Sequence, residues 1–258
     1  MGRNKPRKHK IISGRHIFAV LIAVFALVGG YAAYRIITTE VEYDSAQREY
    51  ARLRLFAPAQ ASEPDTDNNG NNPGEAPEDF EVLPDLTEIN PDYIAWIRID
   101  GTDIDYPVVQ GEDNEKYLNT TFTGERNPSG TIFMDADCQN GFDFFTILHG
   151  HNMRDGTMFA GLHSFIDNRF RADYSEIIIY KPDSSPMLYK IFAVKLTNIH
   201  DEVFNLPLLT MDDKARYFAE YGFTLRDLRD SVDILVLATC TDGQRNERLL
   251  VLAARVRN

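Results

Sequence analysis

Two apolar runs near the C-terminus, separated by a short polar segment, constrain the fold more than any other part of the sequence. The first run is residues 233–240 (DILVLATC), and the second is residues 248–254 (RLLVLAA). Aliphatic, β-branched runs of this length predict two strands joined by a loop. If the strands pair as neighbours, Cys240 and Arg248 lie on the same rim of a sheet. A buried, inert cysteine and a surface arginine fit this stretch equally well, because free cysteine is among the most buried residue types.

Strand signals dominate the preceding 150 residues as well. A hairpin is predicted around Asp100-Gly101, because this dipeptide tolerates the positive φ angles of a tight turn. Further strands are predicted at 131–134, 144–148, 177–180 and 187–196, and short helices at 113–119, 158–166 and 211–221. About eight strands, few helices and no regular alternation of strand and helix predict a mostly β fold, an antiparallel barrel or sandwich.

The N-terminal third has a different composition. Residues 1–16 carry six basic residues and no acidic one, and an apolar stretch at 17–37 follows. At 1.5 Å per residue this stretch just spans a hydrocarbon core of about 30 Å, so we predict a transmembrane signal-anchor. The basic flank predicts a cytoplasmic N-terminus and an extracellular remainder, a single-pass protein of the cell membrane. A cleaved signal peptide is the alternative, although the apolar run exceeds the usual 7–15 residues of such signals.

The segments that follow predict a membrane-tethered domain. Residues 38–56 have helical composition and predict a juxtamembrane helix. Residues 57–79 lack large apolar side chains, so they cannot bury enough surface to offset the entropy of ordering. We therefore predict that they form a disordered linker. The globular domain is therefore predicted at 80–258.

Charge and cysteine content exclude several classes of function. Because the net charge is −12 and residues 1–16 contribute +6, the remainder carries −18, which disfavours binding to nucleic acid. The two cysteines, Cys138 and Cys240, are too few for a disulfide framework. His149 and His151 suggest a metal pair, but no third ligand follows at a typical spacing, so we predict neither a metal nor a cofactor.

A cysteine becomes a strong nucleophile only as thiolate, which requires a base or a positive neighbour. His149 and His151 end a predicted strand, and by the period of two their side chains point the same way unless the turn has begun. We expect His149 to pack beside Ile147 on one strand face, and His163 and His200 to have surface or capping roles. A cysteine, a histidine and an arginine at strand ends indicate a thiol transacylase or protease.

Several short motifs follow one another in the C-terminal two thirds. They are residues 102–110 (TDIDYPVVQ), 130–135 (GTIFMD), 150–153 (GHNM), 155–159 (DGTMF) and 237–240 (LATC), with Arg248 eight residues beyond the last. In these motifs and their order the chain resembles the class B sortases, membrane-anchored transpeptidases of Gram-positive bacteria. The resemblance runs from about residue 90 to the C-terminus and implies an eight-stranded sortase-type β-barrel.

The resemblance also implies roles for individual residues. Cys240 corresponds to the nucleophile, His151 to the acid/base and Arg248 to the group that stabilises the oxyanion or positions the substrate. Three further residues match positions that line the substrate groove: Asn114, Leu118 and Thr239. The implied reaction cleaves a C-terminal sorting signal of secreted proteins, of the Asn-Pro-x-Thr type, through a thioester. The acyl group then passes to an amine of a peptidoglycan precursor or to a pilin lysine.

Two residues depart from the family pattern. His149 stands where an aromatic residue such as tyrosine is common, so it could perturb the titration of His151. Cys138 follows the strand that ends in Met134, and we expect a bystander thiol rather than a disulfide with Cys240, which would block activity. The alternatives for function are a pilin-polymerising sortase on the same fold and a catalytically silent, membrane-tethered binding domain. A papain-like hydrolase is disfavoured because its cysteine motif and helical half are absent from the sequence.

Overall fold

The computed structural model describes residues 14–58, 85–139, 141–182, 185–241 and 246–256. The chain divides into two compact units, Met1–Asp44 and Ser45–Asn258. Most of the predicted basic tail and the predicted linker from residue 59 onward lie outside the described residues.

One long helix, α1 (Gly14–Leu53), contains the predicted anchor from 17 to 37. Several of its described apolar side chains in the first unit are exposed, among them Phe25, Leu27 and Tyr31. The helical stretch Leu21–Phe56 contains a window that is long and apolar enough to cross a membrane by length and composition. This helix is therefore a candidate membrane anchor.

The second unit contains all eight strands. They are β1 (Tyr93–Arg98), β2 (Asp105–Val109), β3 (Ile132–Met134), β4 (Phe145–His149), β5 (Glu176–Tyr180), β6 (Met187–Asn198), β7 (Val232–Cys240) and β8 (Glu247–Val256). The shorter α-helices are α2 (Leu86–Ile89), α3 (Asn168–Asp173), α4 (Met211–Phe218) and α5 (Leu225–Asp230). Short 3₁₀ segments of three to seven residues lie at Arg54–Phe56, Lys116–Leu118, Ala160–Ile166, Glu202–Leu208 and Ala219–Tyr221.

The strands close into a barrel in the order β1-β2-β3-β4-β7-β8-β6-β5. Neighbours are antiparallel except for β2 with β3 and β4 with β7, which are parallel. The prediction of an eight-stranded, mostly antiparallel β-barrel with few short helices is confirmed. The parallel pairing of β4 with β7 was not predicted, and it brings two motifs 90 residues apart side by side.

β7 is buried along almost its whole length. Every residue of this strand is buried except Cys240, its last. Asp233, the one charged residue of the strand, is fully buried and accepts hydrogen bonds from the Arg255 guanidinium (2.6 Å) and the Phe144 backbone N–H (2.9 Å). These bonds fix one end of β7 against β8 and the start of β4, so the thiol lies at the opposite, open end.

The last turns of α1 belong to the second unit and pack on the barrel. Ala46, Tyr50 and Leu53 are each 3% exposed. The Tyr50 hydroxyl donates to the Gly130 carbonyl (2.5 Å), and Arg54 donates to the Asp105 carbonyl (3.2 Å). The helix predicted at 38–56 therefore has, at its C-terminal end, an apolar face that the barrel covers.

The structure differs from the sequence-based expectations mainly in short elements. The predicted helix at 113–119 is a single 3₁₀ turn, and the predicted hairpin has a longer loop, 99–104, in which Gly101 has φ +78 and a side chain there would strike the Tyr174 ring. The unpredicted helices α2, α3 and α5 have four to six residues and depend on side-chain N-caps rather than on apolar periodicity. Elements this short carry no readable hydrophobic pattern.

Candidate active site

Cys240 and Arg248 are direct partners in the antiparallel pairing of β7 with β8. Directly paired residues have side chains on the same face of a sheet, with Cβ atoms about 5 Å apart. The thiol is partly exposed at the open end of β7. The Arg248 guanidinium donates to the neighbouring Glu247 carbonyl (2.9 Å). The two residues therefore share one rim of the barrel, as the strand–loop–strand pattern predicts.

The parallel pairing of β4 with β7 brings the histidine motif to the same rim. His149 pairs with Ala238, and the Gly150 N–H donates to the Ala238 carbonyl (3.2 Å). The Thr239 hydroxyl donates to the Gly150 carbonyl (2.8 Å). These two bonds extend the pairing of β4 with β7 by one residue beyond His149. His151 therefore lies beside Cys240 at the end of β7.

Gly150 allows this close approach. A Cβ at this position would lie 2.5 Å from Ile132 Cδ1 and 2.6 Å from the Phe159 ring. Any side chain would push the loop away from the barrel or displace these core residues. The glycine between the two histidines is thus a packing requirement that holds His151 against the end of β7.

The orientation of the His151 ring is set by the backbone of Leu118. Nε2 of His151 lies 2.7 Å from the Leu118 carbonyl oxygen. Because a carbonyl only accepts, Nε2 carries a proton, and in the neutral imidazole Nδ1 is the basic nitrogen. The ring therefore has its Nδ1 available for exchange of a proton with a thiol or substrate.

All six sequence-predicted site residues border one cleft of about 500 Å³. Asn114, Leu118 and Thr239, however, engage the protein itself. The Thr239 side chain is 2% exposed and bonds to Gly150, and Leu118 supplies the carbonyl that holds His151. The Asn114 amide donates to the Asp135 carboxylate (3.1 Å) and accepts from the Ala136 N–H (2.8 Å).

We expected His149 only to pack along its strand, but in the structure its ring makes two further contacts. Its ring stacks on Phe133, with centroids 5.1 Å apart, and lines the cleft. Its Nε2 lies 2.8 Å from the Asp135 carboxylate. Burial by itself would raise the pKa of Asp135, but the hydrogen bond and charge of His149, with the Asp137 N–H and Asn114 amide, lower it below the usual value. The cleft thus contains a second imidazole paired with an ionised carboxylate.

Comparison with known proteins identifies the family. The model of the sortase domain matches residues 97–256, which is more than half of the chain. The chain belongs to the sortase family. The sortase cleft described above contains the cysteine, histidine and arginine expected from the sequence.

Relatives that the chain matches are class B sortases, which confirms the resemblance found in the sequence. Sortase B of Listeria monocytogenes is 37% identical over 131 residues, or 50% of this chain and 48% of the relative. Sortase B of Staphylococcus aureus is 26% identical over 250 residues, covering 92% and 94% of the two chains. The X-ray structure of Clostridium perfringens Sortase B is 33% identical with a TM-score of 0.56, covering 67% of this chain and 98% of that one. The chain thus spans about half the length of the first of these relatives.

Some residues of the sortase cleft were not identified from the sequence. Asp135 is the last residue of the motif at 130–135, but no role was predicted for it. An acidic residue directly after a strand indicates a position at the rim of the sheet. Phe204 and Ile199 also border the cleft. They belong to the connection between β6 and β7, whose 3₁₀ turn Glu202–Leu208 has no periodicity that predicts where it folds.

Cys138 lies outside the cleft and is not joined to Cys240, since both cysteines are free. It is buried, its sulfur accepts from the Ile147 N–H (3.4 Å), and burial raises its pKa to about 12. His163 and His200 do not border the cleft either. Within the described ranges of the chain, no group of three His, Cys, Asp or Glu side chains is arranged to hold a metal ion.

Proposed function

We propose that this sortase cleaves a C-terminal sorting signal of the Asn-Pro-x-Thr type on secreted proteins and transfers the new C-terminus to an amine of the cell wall. One observation carries the proposal: Cys240 and Arg248 are paired on the rim at which His151 is held. A thiol, a proton carrier and a fixed cation on one cleft are the groups that acyl transfer requires.

The first half-reaction forms the acyl-enzyme. The Cys240 thiolate attacks the threonine carbonyl of the signal, and Arg248 donates hydrogen bonds to the oxyanion. The carbon–nitrogen bond breaks as the imidazolium of His151 gives its proton from Nδ1 to the departing amine. Nε2 stays bonded to the Leu118 carbonyl, so the ring keeps its orientation through the transfer.

The second half-reaction resolves the thioester. An acceptor amine attacks the thioester carbonyl, neutral His151 takes a proton from the attacking nitrogen, and the carbon–sulfur bond breaks. Water attacking in place of the amine gives hydrolysis. A thioester suits this sequence because it retains acyl reactivity towards amines.

The proposal includes a location. The candidate anchor in α1 would tether the enzyme to the membrane as a single-pass protein with its N-terminus in the cytoplasm. The catalytic unit would then face outward, where secreted proteins emerge. The basic residues that precede the apolar stretch support this orientation.

A panel of peptides and amines tests the function with the full-length protein in detergent. We expect cleavage after threonine in an Asn-Pro-x-Thr peptide, and transfer to a glycine N-terminus or to a lysine side chain identifies the acceptor. Because one oxyanion donor contributes about 10²–10³ in rate, Arg248→Ala should slow acylation about a hundredfold. The matched control is Arg226→Ala on the exposed face of α5. Failure to cleave any peptide, or unchanged cleavage by Arg248→Ala, contradicts the proposal.

A further inference from the structure

The cleft has a second imidazole on the same face of the sheet as the thiol. His149 pairs with Ala238, and Cys240 lies two residues further along the same strand. Residues two apart in a strand point to the same face, and diagonal neighbours lie roughly 7–8 Å apart, within reach of a long or aromatic side chain. His149, which is 22% exposed, can therefore contact a group that reacts at Cys240.

The ring of His149 is held in a fixed orientation. It stacks on Phe133 (5.1 Å, 28° between planes) and faces Phe204 (6.2 Å, 20°). Nε2 is bonded to the Asp135 carboxylate at 2.8 Å. Two aromatic neighbours and one charged hydrogen bond leave the ring little freedom to rotate.

Asp135 is arranged to remain ionised and to hold one tautomer of His149. It is 5% exposed and accepts hydrogen bonds from the Asn114 amide and the Asp137 N–H (3.0 Å) in addition to that of His149. Since an ionised carboxylate only accepts, Nε2 of His149 carries the proton and Nδ1 is the basic nitrogen. A histidine oriented in this way by a carboxylate is the arrangement of a general base.

The second half-reaction needs more than one proton acceptor. Reference pKa values of about 7.7–8.0 for an α-amine and 10.4 for lysine mean that the acceptor arrives mainly as ammonium at pH 7. An ammonium group loses two protons on its way to a neutral amide. His151 accounts for one of them, and neither Cys240 nor Arg248 takes up the other.

We propose that His149, oriented by Asp135, is a further catalytic residue that takes the first proton from the acceptor's ammonium group. The inference rests on the proposed function and names the side of the cleft at which the acceptor binds. The ammonium N–H gives its proton to Nδ1 of His149, which becomes an imidazolium paired with Asp135. The neutral amine then forms the carbon–nitrogen bond, its second proton passes to His151, and Cys240 leaves as thiolate. The imidazolium of His149 returns its proton to solvent.

The charges around the cleft fit this assignment. Asp135 and Asp137 follow β3 on the side of His149, whereas Arg248 lies on β8 on the other side of Cys240. Among the residues that the structure describes, the remaining titratable groups that border the cleft are Cys240 and His151, and the 3₁₀ turn beside His149 contributes the uncharged Phe204. A cationic acceptor is attracted to the acidic side, and the oxyanion forms near the basic side.

The experiment measures the rates of acylation and of transfer separately in two variants, His149→Gln and His149→Phe. His200→Gln, at an exposed histidine, is the matched control. Glutamine keeps a donor for Asp135 and phenylalanine keeps the aromatic stack, but neither takes a proton. Acylation by a sorting peptide should stay within about twofold of wild type. Transfer to a glycine peptide at pH 7 should fall about tenfold or more, at the lower end of general-base effects because His151 remains. Transfer to hydroxylamine, which is unprotonated at pH 7, should not change.

The pH dependence gives a readout that a structural role would not move. At pH 9 the glycine amine is already neutral, so the variants should recover to near the wild-type transfer rate. Equal losses with glycine and hydroxylamine, or no loss with either, would overturn the inference while acylation by wild type still upheld the proposed function. If wild type formed no acyl-enzyme with any sorting peptide, the proposed function itself would fail. Unfolding midpoints of all variants exclude loss of fold as the cause.

Discussion

The two cysteines show how strongly the position of one residue decides its chemistry. Cys240 ends a strand at the open rim beside Arg248, whereas Cys138 is buried behind β4. The sequence favoured Cys240 as nucleophile only through the motifs around it. The strand-end pattern alone did not fully separate the two thiols, because burial depends on what packs over a loop and not on the residue type.

Alkylation distinguishes the two thiols at the residue scale. Burial raises the pKa of Cys138 to about 12, so at pH 8 roughly one part in ten thousand is thiolate, the form that reacts. We expect iodoacetamide to label the native protein once, at Cys240, and to label Cys138 only in denaturant. Peptide mapping by mass spectrometry locates the label. Labelling of native Cys138, or protection of both thiols until a reductant is added, would contradict this account of their environments.

At the residue scale, the limits of sequence reasoning are clearest for His149. Its place at a strand end was readable, and so was its departure from the aromatic residue common in the family. Its pairing with Asp135 was not readable, because that contact depends on the antiparallel register of β3 with β4, where Phe133 lies opposite His149. The register of two strands is set by packing on both of their faces, and the sequence of the strands alone does not determine that packing.

At the scale of elements, the long connection from β6 to β7 forms a wall of the cleft with Ile199 and Phe204, and the Asp201 carboxylate holds this connection in place. Asp201 accepts hydrogen bonds from the Thr197 hydroxyl (2.6 Å), the Lys195 ammonium (2.9 Å) and the Tyr217 hydroxyl (3.0 Å). It also caps the 3₁₀ turn Glu202–Leu208, which contains Phe204. This network ties β6, α4 and the turn together, so it positions the aromatic wall from outside the cleft.

Removal of this carboxylate should weaken substrate binding more than catalysis. In Asp201→Ala the turn loses its cap and its tie to Thr197, so we expect KM for a sorting peptide to rise several-fold with kcat little changed. Asp230→Ala, at an exposed and weak ion pair on α5, is the control. Steady-state kinetics measure both parameters. A loss confined to kcat, or no change in either, would show that Asp201 does not position the wall.

Pairing between elements was predicted unevenly. The antiparallel pairing of β7 with β8 was expected, because only a short polar segment joins the two strands. The parallel contacts of β2 with β3 and of β4 with β7 involve connections too long for sequence proximity to indicate pairing. The buried Asp233, which bonds to both Arg255 and Phe144, provides the local reason for the second of these contacts.

At the scale of the whole molecule, the barrel depends on four tyrosines, one fully and three partly buried, that must stay neutral. Burial raises the pKa of Tyr93 and Tyr221 to about 12, aided by nearby carboxylates, and burial also raises the pKa of Tyr189 and Tyr217. In the unfolded chain these phenols ionise near the ordinary tyrosine pKa of 10.0. Since the folded state favours the neutral phenol, this stabilisation is fully present below pH 10 and is lost as pH rises towards 12.

Stability should therefore fall steeply between pH 10 and pH 12. Urea unfolding followed by circular dichroism should show a midpoint that declines across this range and is nearly constant between pH 7 and pH 9. The tyrosinate absorbance near 295 nm that comes from these four rings should appear only together with unfolding, whereas exposed rings such as Tyr174 ionise independently of it. Complete ionisation of all tyrosines before the structure is lost would contradict the burial of these four rings.

The fold class and the meeting of Cys240, His151 and Arg248 at one cleft were predictable, because strand periodicity and short motifs are local in the sequence. The closed order of strands and the acidic side of the cleft were not, since both arise from contacts across the barrel. The membrane topology stays a prediction that rests on the basic flank and the apolar helix.

The central claim is that Cys240 carries the acyl group. The most direct measurement is intact-protein and peptide-mapping mass spectrometry after brief incubation with an Asn-Pro-x-Thr peptide and quenching in acid. The account predicts an added mass equal to the peptide up to threonine, located at Cys240, labile to hydroxylamine and absent from Cys240→Ala. An adduct at Cys138, or turnover of the peptide by Cys240→Ala, would contradict it.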